Sequence, residues 1–238
     1  MQLGDLLKSP PPTGRRIFLR AVIIANGILD NHDRVLSQLK PEDLLIAADG
    51  GTEHCKKIGI RPDIVIGDMD SISTQLMAEF QSNGTKFIIH SRDKDQTDLE
   101  LALSYAQQNG VNEVIFFGIF GGRLDLSLSN ILLLTRDEWK PISLVVINGP
   151  DTACLLRAKG SISVKGKPGD LVSLVPLSEV VEGVSTRGLR WQLDQAVLLQ
   201  GNTRSVSNEL LIDSAQVRID TGKLLLVHRD IPIEGTDE

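Results

Sequence analysis

Between residues 20 and 139, five short and uninterrupted apolar runs alternate with longer stretches of helical spacing, and this rhythm limits the folds open to the chain more than any other feature. The runs at 21–25, 44–48, 64–66, 87–89 and 114–117 have the length of strands, and their lack of polar alternation calls for cover on both faces. The stretches at 33–39, 52–58, 74–81, 97–107 and 126–134 carry apolar residues at helical intervals and supply that cover. A β-α-β-α order of this kind predicts an α/β domain built on a doubly wound, mostly parallel sheet.

After Pro141 the rhythm changes. Residues 144–147, 161–165, 171–176, 184–193 and 224–228 read as strands separated by Gly, Pro or Asp turns, with no long helical pattern among them. This predicts a second, all-β domain, a sandwich or a small barrel. The boundary falls within 139–149, and the two domains are set at 18–142 and 143–232. Residues before 18, which include Pro10, Pro11 and Pro12, read as a loose leader, and 232–238 as a frayed tail.

Composition narrows the function. Lys and Arg number 25 against 31 Asp and Glu, a net charge of −6, with no long basic run, so nucleic acid is not an expected partner. An anionic ligand would then need the help of a metal ion. Cys55 and Cys154 stand far apart with no His at zinc spacing, which fits neither a zinc site nor a disulfide framework. Neither a signal-like stretch nor an apolar run of membrane-spanning length occurs, so the expectation is a cytoplasmic protein with no membrane partner.

The acids that follow the predicted strands carry the chemistry. Asp49 follows the run at 44–48, Asp68 and Asp70 follow 64–66, and Asp93, Asp95 and Asp98 follow 87–89. The carboxyl ends of the strands form the ligand crevice of an open parallel sheet, so these groups are expected to converge. Converging carboxylates repel unless a cation lies between them, and Mg²⁺, which takes hard oxygen ligands and substrate phosphates, is the economical choice. Taken singly, each Asp also reads as a turn residue or a cap. Thr97 and Glu100 fit a capping box, with Asp98 in the first helical turn as a metal ligand, an acceptor for a cationic ligand or a helix stabiliser.

Gly50 and Gly51, and the run Gly118 to Arg123, lie where backbone N–H groups can approach a phosphate, yet neither is a Walker or dinucleotide motif. Arg123 offers a fork of donors to a phosphate or a partner to a nearby Asp. His32, His54, His90 and His228 are dispersed and form no metal pair or triad by spacing. Trp191 reads as a strand residue, either in the core or as a stacking platform for a flat or cationic heterocycle. Trp139 reads as packing near the domain hinge.

Taken in order, Ala48-Asp49-Gly50-Gly51, Gly67-Asp68-Met69-Asp70-Ser71, Asp93-Lys94-Asp95-Gln96-Thr97-Asp98, Gly121-Gly122-Arg123-Leu124-Asp125 and Ser205-Val206-Ser207-Asn208 resemble the thiamine pyrophosphokinase family, and Gly188 to Trp191 falls in the expected place. The resemblance implies an ATP-binding α/β domain, a β domain that binds thiamine and dimerises, and transfer of the pyrophosphoryl group of ATP to the hydroxyethyl oxygen of thiamine, with AMP as the other product. It implies Asp49, Asp68, Asp70 and Asp95 around Mg²⁺ and the triphosphate, and Asp70, Asp95 and Asp98 as catalytic carboxylates. ATP would be held by Asp49, Gly50, Gly51, Asp68, Arg123 and Asp125. Thiamine would be held by Asp98, Trp191, Ser205, Ser207 and Asn208, the last three reaching the other subunit of a homodimer.

One position departs from the family pattern, in that Leu126 stands where bacterial members often have His. Two other readings compete: a pyrophosphokinase for another hydroxyalkyl heterocycle such as a pterin, and a non-catalytic binder of nucleotide or thiamine. Retention of every acid cluster speaks against the second, and the residues around Trp191 and Ser205 speak against the first.

Overall fold

The computed structural model describes residues 19–232. The expected leader, and the expected tail beyond residue 232, lie outside the described residues. The chain forms two compact units that meet between Gly149 and Pro150.

The first unit contains strands β1 (Arg20–Ile24), β2 (Leu44–Ala48), β3 (Ile64–Gly67), β4 (Lys86–Ile89), β5 (Glu113–Phe117) and β6 (Ser143–Asn148). All pair in parallel, in the spatial order β4-β3-β2-β1-β5-β6. Helices α1 (His32–Gln38), α2 (Gly51–Ile58), α3 (Thr74–Ser82), α4 (Asp98–Gln108) and α5 (Leu124–Leu133) fill the connections. Each helical stretch expected from the spacing is thus present. Alternate residues of β1, β2, β3 and β5 join Val35, Cys55, Leu76 and Phe80 of α1 to α3 in one core. Helix α4 packs against β1, β2 and β3 and buries Leu99, Ala102, Leu103 and Ala106. The doubly wound sheet therefore has its central strands covered on both sides, which is why those runs are apolar without alternation.

Residues 144–147 differ from their reading as part of the β domain. They lie in β6, which pairs in parallel with β5 from Glu113↔Ser143 to Phe117↔Ile147, and so complete the first unit. The chain crosses over at Gly149, where φ is +53°. A strand that follows a short 3₁₀ turn rather than a long helix does not announce in sequence which sheet it joins.

Below β1 the guanidinium of Arg20 forms a fork on the Asp43 carboxylate at 2.6 and 2.7 Å, both side chains being buried. Burial opposes the charge on Arg20, but its hydrogen bonds to Asp43 outweigh that and raise its pKa.

The second unit is antiparallel. Strands β7 (Asp151–Arg157), β8 (Ser161–Lys165), β9 (Leu171–Pro176), β10 (Val180–Arg187), β11 (Ala196–Leu199), β12 (Asn208–Glu209), β13 (Ser214–Arg218) and β14 (Lys223–Arg229) form two sheets, β12-β9-β14-β7 and β11-β10-β13-β8. Side chains from both, among them Leu156, Val172, Leu174, Leu224 and Leu226 from one and Val164, Val181, Val184, Leu198 and Val217 from the other, share one core. This is the expected sandwich.

The single strand expected at 184–193 ends at Arg187. Gly188 has a φ of +77°, and a Cβ there would lie 2.3 Å from the Ser214 carbonyl oxygen. The chain turns at that point, and Trp191 therefore lies beyond the strand.

Candidate active site

In the sheet order the winding reverses between β1 and β5, and ligand crevices of open parallel sheets lie at such a reversal, beyond the carboxyl ends of the strands. The register aligns those ends. Ala48 is opposite Ile66, and Gly67 is opposite Ile89, so the residues after β2, β3 and β4 emerge side by side.

Asp49, the first of them, has a φ of +42°. Its backbone is locked there, since its N–H donates to the Ile66 carbonyl at 2.8 Å and its own carbonyl accepts from the Thr52 N–H and hydroxyl at 3.0 and 2.7 Å. The side chain is buried, at 8% exposure, and Oδ1 has no hydrogen-bond partner. Burial pushes the carboxyl pKa up and the charges of Asp98 and Asp68 add to this, partly offset by the Ser71 hydroxyl and the Gly50 N–H. An oxygen of Asp49 lies within 4.8 Å of oxygens of Asp68 and Asp70, which are themselves mutually that close.

Asp68 accepts from the Asp70 N–H at 3.2 Å, and Ser71 donates its hydroxyl to Asp70 at 3.0 Å. The Ser71 bond and then Arg92 hold the Asp70 carboxyl below its ordinary range. Arg92, on the loop after β4, contacts Asp70 directly and reaches Asp68 at 3.6 Å. Nothing in the local sequence assigned it this role.

Of the acids after β4, Asp98 is the one that joins this centre, through its charge on Asp49, and Lys94 pairs with it at 2.5 Å. Asp95 and Asp93 are exposed and stand outside the trio of close carboxylates. Of the expected set of Asp49, Asp68, Asp70 and Asp95, the first three lie together, and Asp95 is exposed on the loop that follows β4.

Thr97 caps α4 as expected, accepting from the Glu100 N–H at 3.2 Å. Glu100 does not complete the box. Its carboxylate binds Arg136 at 2.6 Å and Gln96 at 3.0 Å, because a guanidinium within reach is a stronger donor than the cap's own N–H.

The two glycines after Asp49 serve packing first. A Cβ on Gly51 would lie 2.0 Å from the Ile24 carbonyl oxygen, and one on Gly50 would fall 2.3 Å from the Asn26 side chain. Their absence lets the start of α2 approach the end of β1. Across the reversal Gly27 donates to Gly118 at 2.6 Å and Ile28 to Phe120 at 2.7 Å, which ties the β1 loop to the glycine run after β5. His54 bonds the Gly27 carbonyl through Nε2 at 2.8 Å. Asn26 and Gly27 carry no motif, and the one sequence signal for their role is their position just past the end of β1.

Arg123 and Asp125 are exposed and form a pair with each other, at 2.5 and 3.1 Å. The Asp125 carboxyl is lowered by that contact. Leu126 is partly exposed, at 38%.

In the second unit Trp191 is no core residue. Its side chain is 55% exposed, with the Arg190 guanidinium 5.1 Å from the ring centroid and Arg190 itself anchored on Glu209 at 2.9 Å. Asn208 is buried and clamps the Trp191 backbone, accepting from its N–H at 3.0 Å and donating to its carbonyl at 2.6 Å. The buried Ser205 hydroxyl donates to the Leu174 carbonyl at 2.7 Å, whereas Ser207 is exposed, with a φ of +60° and its N–H bound to Ser173. Of the expected thiamine residues, Trp191 and Ser207 thus present themselves to solvent, while Asn208 and Ser205 hold the frame.

Trp139 is buried in the first unit within the short 3₁₀ turn Asp137–Trp139. Cys55 and Cys154 are free thiols pushed up to about 12 by burial. Among the described residues no helix is long and apolar enough to cross a membrane.

Known proteins share this arrangement. Residues 35–146 match the family model described as thiamin pyrophosphokinase, catalytic domain, and residues 160–226 match thiamin pyrophosphokinase, vitamin B1 binding domain. The chain is 29% identical over 184 residues to thiamine pyrophosphokinase of Bacillus subtilis, covering 77% of this chain and 86% of that one. It is 27% identical over 241 residues to thiamine pyrophosphokinase 1 of Oryza sativa subsp. japonica, covering 91% and 89%. The crystal structure of the Bacillus subtilis thiamine pyrophosphokinase superposes with a TM-score of 0.80 at 26% identity, over 90% of this chain and 100% of that one. With both domain models matched in order over most of its length, and with the same fold, the chain belongs to the thiamine pyrophosphokinase family.

Proposed function

We propose that the chain transfers the pyrophosphoryl group of ATP to the hydroxyethyl oxygen of thiamine, giving thiamine diphosphate and AMP. The observation that carries this reading is the convergence of Asp49, Asp68 and Asp70 beyond the strand ends of a member of this family. The match of residues 160–226 to a vitamin B1 binding domain favours thiamine over a pterin as acceptor.

The three acids fit a divalent cation. They offer hard oxygens, two of them exposed enough to share an ion with a triphosphate, and Asp49 contributes a buried oxygen without a partner. When bound, Mg²⁺ neutralises phosphate charge and polarises the phosphoryl oxygens. The protein's own part is positioning. Asp49, with its backbone locked, and Asp68 would hold the ion beside the triphosphate, and the N–H groups at the start of α2 and in the loop at 118–123 would face the nucleotide. The thiamine oxygen attacks the β-phosphorus in line, forming an O–P bond as the bond from the β-phosphorus to the bridging oxygen breaks and AMP departs with that oxygen. The hydroxyl proton passes to a carboxylate, Asp70 or Asp98, and replacing the true acceptor lowers turnover more than nucleotide binding. Asp95, exposed on the same loop, stays a candidate through the family motif alone.

Trp191 stacks on thiamine, and Ser205, Ser207 and Asn208 support that surface, within a homodimer whose subunits complete each other's sites. The cytoplasmic setting belongs to the same proposal. Trp191→Ala is expected to raise the KM for thiamine by about 5–30-fold, the equivalent of a ring–cation contact of about 1–2 kcal/mol. Trp191→Phe restores most of it, and the KM for ATP stays put; equal changes in both KM values would refute the stacking role.

The reaction is tested by incubating the purified chain with ATP, Mg²⁺ and thiamine and quantifying AMP and thiamine diphosphate together. Equimolar products, lost without metal and in Asp70→Asn, are expected. AMP without thiamine diphosphate, or thiamine bound but never converted, would overturn the proposal.

A further inference from the structure

Beyond this reading, a cation that the mechanism does not use lies against its carboxylates. Arg92 lies in the loop after β4, 22 residues from Asp70, and its side chain is 74% exposed, yet its guanidinium contacts Asp70 and stands 3.6 Å from Asp68. These are two of the three oxygen donors that face one another within 4.8 Å. The third, Asp49, is over nine-tenths buried and has an oxygen without a hydrogen-bond partner, an independent sign that this centre is built to hold something positive. On the same loop, Lys94 sits on Asp98. The loop thus lays two cations over a centre whose acids would otherwise repel one another.

Arg suits a holding role. Its charge is permanent, its planar fork fits carboxylates, and its long exposed stem can leave without disturbing the sheet. We propose that Arg92 is a resident placeholder cation, which neutralises Asp68 and Asp70 while no divalent ion is bound and competes with that ion for the same oxygens. This rests on the reading of Asp49, Asp68 and Asp70 as cation ligands. Loading the site then requires Arg92 to leave the two carboxylates, which frees its guanidinium beside the incoming triphosphate.

The test measures Mn²⁺ binding to the nucleotide-free full chain, by the electron paramagnetic resonance signal of free Mn²⁺, in wild type, Arg92→Ala, Arg92→Lys and Asp49→Asn. Arg92→Ala is expected to bind Mn²⁺ about five-fold tighter, the ratio that matches a partly exposed ion pair. Arg92→Lys falls between it and wild type. The gain shrinks as ionic strength rises, since the competing pair is open to solvent. Asp49→Asn weakens binding relative to wild type. Unchanged or weaker Mn²⁺ binding in Arg92→Ala, with Asp49→Asn still weakening it, overturns the role of Arg92 and leaves the cation site standing. Binding indifferent to Asp49→Asn removes the cation site and the placeholder with it. Arg92 makes no core contact, so thermal midpoints close to wild type should accompany each Arg92 variant.

Discussion

Asp49→Asn is expected to lower turnover by about 10²–10³-fold, the size of effect seen when one preorganised electrostatic contact to a reacting centre is removed, and at the same time to make the unliganded protein more stable. The two effects share one cause. Asp49 is a buried carboxylate with an unpartnered oxygen, pressed by the charges of Asp98 and Asp68, and held at a φ of +42° that Asn tolerates better than most residues. Removing the charge relieves that burden, and a gain of about 1 kcal/mol would raise Tm by about 2–4 °C in a chain of this size.

The pH dependence follows from the sign of the shift. The folded state raises the Asp49 pKa, so its ionised form is penalised by folding and wild type recovers the difference once the group takes a proton. The advantage of Asp49→Asn is therefore full at neutral pH and disappears as pH falls below the ordinary carboxylate range. Calorimetry of both proteins at pH 7 and pH 4, beside quantification of AMP and thiamine diphosphate, checks this. A variant that loses activity and also loses stability at neutral pH would show that Asp49 is a structural residue.

Asp170→Ala is expected to destabilise the sandwich unit by about 3–5 kcal/mol, the cost of breaking a buried charged network by removing one member. Asp170 is 1% exposed. Its carboxylate accepts from the Lys167 N–H and ammonium, each at 2.9 Å, from the Ile231 N–H at 3.0 Å, and bonds His228 Nε2 at 3.2 Å. Burial alone would raise its pKa, but the Ile231, Lys167 and His228 contacts outweigh burial and hold the carboxyl well below the usual range.

The sign is opposite to that of Asp49. A depressed pKa contributes stability that is complete above the ordinary carboxylate range and is lost as pH falls through and below it, so the gap between wild type and Asp170→Ala narrows in acid. Denaturant titration at pH 7 and pH 3, followed by tryptophan fluorescence in a Trp139→Phe background so that Trp191 alone reports, measures it. A loss under 1 kcal/mol at pH 7 would mean that the donors find other acceptors. Asp170, His228 and Asp230 lie close enough to suggest a metal site. The Lys167 ammonium already pairs with the Asp170 carboxylate, and Asp170, through His228 and the Ile231 N–H, staples the β8–β9 turn to the end of β14.

Local sequence was a good guide wherever the deciding contact lies within a few residues. Thr97 could be read as a cap because its partner, the Glu100 N–H, is three residues away. The other half of the same box failed because Arg136, 36 residues on, takes Glu100. Trp191 lies beyond the strand that its local pattern suggests because the chain turns at Gly188, whose close approach to the Ser214 carbonyl leaves no room for a side chain and is not contained in that pattern. Trp191 then reaches solvent through Asn208, 17 residues later.

What the sequence by itself determined is the class of each segment and the order of the segments: uninterrupted apolar runs need cover on both faces, and helical spacing provides it, whatever lies elsewhere. Tertiary structure alone decided which acids meet. Parallel register sets Ala48 against Ile66 and Gly67 against Ile89, and so brings Asp49, Asp68 and Asp70 to one place, with Arg92 laid over two of them. Register depends on hydrogen bonds between strands far apart in the chain, and a charge's partner is chosen by distance in space, which a linear pattern does not encode.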